Sequence, residues 1–209
     1  MKSIWMRVLV VATISIAIVL VIPNKKPRSL DSNPEQTPSV TFSTSEPEES
    51  KTTAIEYRWS GVGTDPYKIR IGELGIDAFV QKMGIDQKGS IAVPTNIHLA
   101  GWYATSAVVG TEGISVIVGH VTGKQTDGIF KRLDELKPED IIEIERGDGK
   151  RYTYQVIESK QVKEAEAASY LFSKKRGVDS QLNLITCGGK YDEKKHQYED
   201  RIIVYTQKI

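Results

Sequence analysis

The chain has one cysteine, Cys187, in 209 residues. That excludes an intramolecular disulfide and leaves three roles for the thiol: a small buried hydrophobe, a link to a partner, or a nucleophile. Histidine is almost as scarce, with three, at 98, 120 and 196. One cysteine and scattered histidines do not supply the closely spaced ligands of a zinc site. Charge of one sign is also lacking. Lys plus Arg number 28 against 27 for Asp plus Glu, a formal net charge of +1, so composition makes no case for a nucleic-acid partner. Internal repeats are absent, and after residue 22 so is any apolar run long enough for a membrane span. A lone thiol leans toward export, because it leaves no internal pairs to scramble in an oxidising compartment.

The one long apolar run is near the N-terminus. Val8 to Ile22 is interrupted only by Thr13 and Ser15, and extending it back to Ile4 crosses only Arg7, whose head can snorkel to the headgroups. The stretch approaches the roughly 20 residues that cross a bilayer. It ends Val21, Ile22, Pro23, Asn24, Lys25, a poor cleavage site for a signal peptide, so residues 1–24 are read as an uncleaved anchor. Lys2 and Arg7 before the span balance Lys25, Lys26 and Arg28 after it, and the positive-inside rule does not orient it. Residues 25–64 begin with a stretch of Pro, Ser, Thr and Glu with almost no large apolar side chains. Such a segment cannot offset its ordering entropy and reads as a disordered stalk.

From residue 65 onward the pattern is mostly strands. Tyr67 to Ile71 alternates with period two. Asp77–Val80, Ile91–Val93, Ser115–Val118, Leu182–Thr186 and Ile202–Thr206 are further candidates. Ile141–Glu145 and Tyr152–Ile157 flank Gly147, Asp148 and Gly149, a hairpin signal. Phe130–Leu136 and Ala165–Phe172 are expected as short helices. Short strands separated by turns indicate a barrel or a sandwich.

Three strand ends carry chemistry. Cys187 closes the run from Gln181, His120 closes the run from Ile114, and Arg201 opens the run to Tyr205. Acyl transfer needs a nucleophile, a proton donor for the leaving amine and positive charge for an oxyanion. A cysteine thiolate, a histidine and an always-charged arginine supply these. Thr186 reads equally as a hydroxyl donor beside the site or as a β-branched strand residue. Asn183 lies four positions before Cys187, hence on the same strand face, and is a candidate for lining the same groove. His98 and His196 fall in loops, and Glu193, Glu199 and Asp200 read as a solvated face rather than a calcium site.

These residues resemble the sortases, membrane-anchored cysteine transpeptidases. The resemblance runs from Pro66 to Ile209. It rests on Leu184, Ile185, Thr186 and Cys187, on His120 within Val118 to Val121, and on Arg201 at the head of the last strand. Val93 with Pro94, Gly101 with Trp102, Ile129, Phe130 and Leu133, and Tyr152 to Val156 support it, in an order that suits class F best. One departure is Asn183, where the family motif begins with threonine. The resemblance implies a mainly-β, eight-stranded barrel over 65–209. It also implies a single-pass membrane protein with its catalytic domain outside the cytoplasm. Cys187 would be the nucleophile, His120 the proton donor and acceptor, and Arg201 the stabiliser, with no metal or cofactor. The implied partners are secreted proteins with a C-terminal Leu-Pro-x-Thr-Gly-like sorting signal and a peptidoglycan-precursor amine. An L,D-transpeptidase-like wall enzyme is one alternative, although its motif places His-Gly directly before the cysteine. A tethered, non-catalytic wall-binding β-domain is the other.

Overall fold

The computed structural model describes residues 57–87 and 89–209. The expected anchor over 1–24 and the part 25–56 of the expected stalk over 25–64 lie outside the described residues. Among those described, no helix is long and apolar enough to cross a membrane.

Eight strands form the fold: β1 Pro66–Ile71, β2 Ile76–Met83, β3 Ala100–Tyr103, β4 Gly113–Val118, β5 Ile141–Arg146, β6 Arg151–Lys163, β7 Ser180–Asp192 and β8 Gln197–Lys208. They close into a barrel in the order β1-β2-β3-β4-β7-β8-β6-β5. Closure removes the free sheet edge on which chains aggregate. The pairs β2–β3 and β4–β7 are parallel. Parallel neighbours need long crossover connections, and these connections deliver the loops around the site. One short helix, α1 (Ala167–Leu171), follows a 3-10 turn at Glu164–Glu166 in the β6–β7 connection.

Alternation along the strands sorts the apolar residues into two layers. Ile69, Ile71, Val80, Ile117, Ile142, Ile144, Tyr154, Leu182, Leu184 and Val204 fill the barrel interior. Val116, Val118, Ile185, Ile203 and Tyr205 face outward and are covered by Ala167 and Leu171 of α1, with Val162 and Ile91. β6 serves both layers. Tyr154 and Val156 point inward, a bulge intervenes between Val156 and Glu158, and Val162 then points outward. One extra residue in a strand flips every later side chain to the other face.

Several expectations shift. Ile91–Val93 is not a strand: Ile91 makes an isolated bridge to Ile85, and its buried side chain packs in the outer layer. Phe130–Leu136 gives only one 3-10 turn, Leu133–Glu135, although Phe130 and Leu133 both sink into the core. The packed region also begins before residue 65. The Trp59 indole N–H donates to the Pro66 carbonyl at 3.1 Å. Its ring meets Tyr67 edge-on at 5.4 Å, and Tyr57 lies tilted against Phe79 at 5.8 Å.

Candidate active site

The register of three adjacent strands sets the site. β4 and β7 pair in parallel with Val118 opposite Ile185. The pairing extends past the end of β4: the Gly119 amide donates to the Ile185 carbonyl at 3.2 Å, and the Thr186 hydroxyl donates to the Gly119 carbonyl at 2.8 Å. The next step brings His120 level with Cys187. On the other side β7 and β8 are antiparallel, with Cys187 directly opposite Arg201. His120, Cys187 and Arg201 therefore stand at one level across three neighbouring strands. Together with Thr186 they line a shallow cleft of ≈ 30 Å³ whose apolar walls are Val93, Val118 and Ile185. A larger hollow of ≈ 420 Å³ lies elsewhere, between Leu136–Pro138 and β6, and neither cysteine nor histidine lines it.

Each side chain is held by identifiable partners. His120 Nε2 lies 2.7 Å from the Pro94 carbonyl oxygen. A carbonyl can only accept, so Nε2 carries the proton and Nδ1 is the position that titrates. Burial holds the imidazole pKa below its ordinary value, and the Pro94 bond opposes this. Cys187 is half-buried. Desolvation pushes its thiol pKa up, the Arg201 charge pulls it down, and the Glu164 carboxylate adds to the rise. Burial therefore favours the neutral form of both groups.

Arg201 is 1% exposed. Its Nη1 donates to the carbonyls of Tyr198 (2.9 Å) and Asp200 (2.8 Å), and Nη2 lies 3.8 Å from Glu164 Oε1. Asp200 is pinned in turn by Gln161 Nε2 at 2.5 Å and Lys163 Nζ at 2.8 Å. Its carboxylate occupies the space where a Cβ on Gly189 would sit, and Gly189 has φ +72°, so glycine is required there. A charged fork held rigidly by backbone carbonyls is pre-organised to meet developing negative charge.

Cys187, His120, Arg201 and Thr186 are thus brought together, although the Thr186 hydroxyl is already engaged with Gly119. Asn183 is not among them. It does share the outward face with Cys187, but it is fully buried and its Nδ2 donates to the Leu171 carbonyl at 2.5 Å. The expectation that it lines the groove is corrected: α1 covers that end of the face. Sequence reasoning missed Glu164, which looks like surface charge in an Ala- and Glu-rich run, and the Pro94 carbonyl, whose role no side chain advertises. Among the described residues no three His, Cys, Asp or Glu side chains gather as a metal-binding group.

A family model described as "Sortase domain" matches residues 69–209. The fold resembles sortase A from Corynebacterium diphtheriae, with TM-score 0.51 and 24% identity over 68% of this chain and 59% of that one. It also resembles sortase C-1 from Actinomyces oris, with TM-score 0.56 and 20% identity over 85% and 90%. A third likeness is to a Clostridium perfringens sortase D5 transpeptidase, with TM-score 0.52 and 20% identity over 79% and 91%. At these identities the likeness establishes a shared fold, and the chain spans 59% of the length of the first of the three. Among curated proteins no match is found.

Proposed function

Because the chain belongs to the sortase family, we propose that it is a cysteine transpeptidase of the class F type. It cleaves a C-terminal Leu-Pro-x-Thr-Gly-like signal between Thr and Gly and transfers the new carboxyl end to a cell-wall amine. In this reading residues 1–24 anchor it in the membrane, the following polar segment tethers it, and the barrel works outside the cytoplasm. The observation that carries the proposal is the placing of Cys187, His120 and Arg201 at one level in one cleft.

The steps follow from the groups present. The Cys187 thiolate attacks the threonine carbonyl carbon, and the carbonyl electrons move to oxygen. The Arg201 guanidinium offsets that negative charge. The oxyanion collapses, the carbon–nitrogen bond breaks, and His120 gives a proton to the departing glycine amine. A thioester remains on Cys187. An incoming amine then attacks the thioester and passes a proton back to His120, and Cys187 leaves as thiolate. No carboxylate is needed to orient His120, because the Pro94 carbonyl already fixes its tautomer. Class F is supported by the order of the sequence landmarks.

The test is mass spectrometry of the purified chain incubated with a panel of sorting peptides. The expected result is a covalent mass shift on Cys187 equal to the N-terminal fragment ending in threonine less one water, absent from Cys187→Ala. Turnover with no shift at Cys187, or no reaction with any such peptide, would overturn the proposal.

A further inference from the structure

The connection from β6 to β7 runs beside the cleft. At its start Glu164 faces Arg201. Further on, Ala167 and Leu171 of α1 pack against Val118 and Ile185, two of the cleft's apolar walls. This segment has little to hold itself together. α1 is five residues long, far below the length at which a helix is stable alone, and its last carbonyls have no partner within the helix.

Phe172 and Ser173, just past the end of α1, bond the Ala168 and Tyr170 carbonyls, and the barrel adds further partners through buried polar side chains. Asn183 Nδ2 donates to the Leu171 carbonyl at 2.5 Å. Gln181 Nε2 donates to the Ser173 carbonyl at 3.0 Å, and Gln181 Oε1 accepts from the Lys175 amide at 2.7 Å. The two amides are joined by Gln181 Nε2 to Asn183 Oδ1 at 3.0 Å. The Tyr205 hydroxyl donates to the Tyr170 carbonyl at 2.9 Å. Gln181, Asn183 and Tyr205 are each 0% exposed. Two neutral amides buried on the outer face of a barrel strand would destabilise the fold if left unbonded. Here their hydrogen bonds are directed at one segment.

We propose that Gln181 and Asn183 are positioning residues that clamp the 164–175 connection as a fixed wall of the Cys187 cleft, so that the peptide meets a preformed groove. The threonine of the family motif is shorter than asparagine, and its single hydroxyl cannot place a donor and an acceptor on two separate atoms to meet Leu171 and Gln181 at once. The departure at 183 is therefore a gain of pre-organisation. A wall already ordered in the free protein adds no ordering cost on binding. The inference rests on the peptide-cleaving reading for its kinetic consequence and on the hydrogen bonds alone for its structural one.

The experiment compares the full chain with Asn183→Thr and Asn183→Leu, using amide hydrogen exchange and steady-state kinetics on a sorting peptide. The Asn183→Thr variant stays polar and places the motif's own residue there, so it guards against a misfolded Asn183→Leu. Exchange in 164–175 is expected to speed up, with the β5–β6 hairpin unchanged. The Asn183→Thr KM is expected to rise about tenfold, as when one buried hydrogen bond is lost, with kcat nearly unchanged. Unchanged exchange in 164–175 would overturn the clamp. A fall in kcat at constant KM would overturn its role as a binding wall. Should the unaltered chain turn over no sorting peptide, the functional reading fails, and the exchange comparison still decides whether the clamp exists.

Discussion

Gly128 lies against the backbone of His120, and replacing it with alanine tests whether the placement of that histidine governs turnover. A Cβ at 128 would meet the His120 carbonyl oxygen at 2.2 Å, its carbonyl carbon at 2.5 Å and its Cβ at 2.9 Å. The two nearest atoms are backbone, so no side-chain rotation relieves the contact. Restoring the oxygen contact to 3.0 Å moves one backbone by about 0.8 Å. Both sides are tied: the Gly128 amide donates to the Val121 carbonyl at 3.1 Å, and the Phe130 amide to the His120 carbonyl at 2.9 Å. The displacement therefore reaches the imidazole, whose bond to Pro94 leaves little slack. A misplacement near 1 Å costs on the order of 10² in rate, and overpacking costs about 1–3 kcal/mol of stability. Gly128→Ala should remain folded, with a modestly lower melting temperature. Its kcat/KM on a sorting peptide should fall about 100-fold, while Cys187 is still alkylated. The assay pairs turnover with iodoacetamide labelling well below the melting temperature. A folded variant with undiminished turnover would show that the position of His120 does not limit the reaction.

The environments of Cys187, His120 and Trp59 set two more expected outcomes. The reactive form, thiolate plus imidazolium, holds one proton between the two groups, as the neutral pair does. It is lost when His120 is protonated alongside a thiol, and when Cys187 is deprotonated beside a neutral imidazole. Burial lowers the first pKa and raises the second. The bell-shaped rate profile should therefore be wider than the interval from about 6.5 to 8.5 set by unperturbed groups, and a narrower bell in kcat/KM would contradict these environments. Trp59→Ala should lower stability by about 1–2 kcal/mol, for a half-buried indole that loses its ring contact and its hydrogen bond to Pro66. Thermal melting checks this, and an unchanged melting temperature would mean that the segment before β1 is not part of the fold.

Much of the barrel was legible because its strands are half-buried and alternate cleanly, as in Tyr67–Ile71 and Ile141–Glu145, and because Gly147 to Gly149 marks a hairpin. β3 was not legible. Ala100, Gly101, Trp102 and Tyr103 are too few to show a period, and they are strand only because β2 and β4 flank them. Ile91–Val93 has the apolar content of a strand, but beyond one bridge its residues pack as loop, and the next residue, Pro94, has no amide to donate to a ladder. The bulge that extends β6 past Ile157 has no residue signature, since it acts only on the parity of the later strand positions. Asn183 shows the same limit at the site. Its shared face with Cys187 follows from counting along one strand, but its burial depends on a helix that arrives from a different part of the chain.

The three chemical residues could be named from strand ends, yet their coming together depends on a pairing that the chain order conceals. β4 and β7 are neighbours only because β5, β6 and α1 intervene and return the chain in parallel. Once Val118 is opposite Ile185, continuing the ladder leaves no choice about His120 and Cys187. The antiparallel turn into β8 then fixes Arg201. The Thr186 hydroxyl bond to Gly119 holds the ladder together at the step where the regular strand has ended. A slip of one residue between β4 and β7 would turn Val116 and Val118 into the barrel and Ile117 out of it. The same slip would carry His120 away from the thiol. The alternation that fills the interior with Ile117 and Leu184 is thus the constraint that aligns the cleft, and core packing and site geometry are specified by one register.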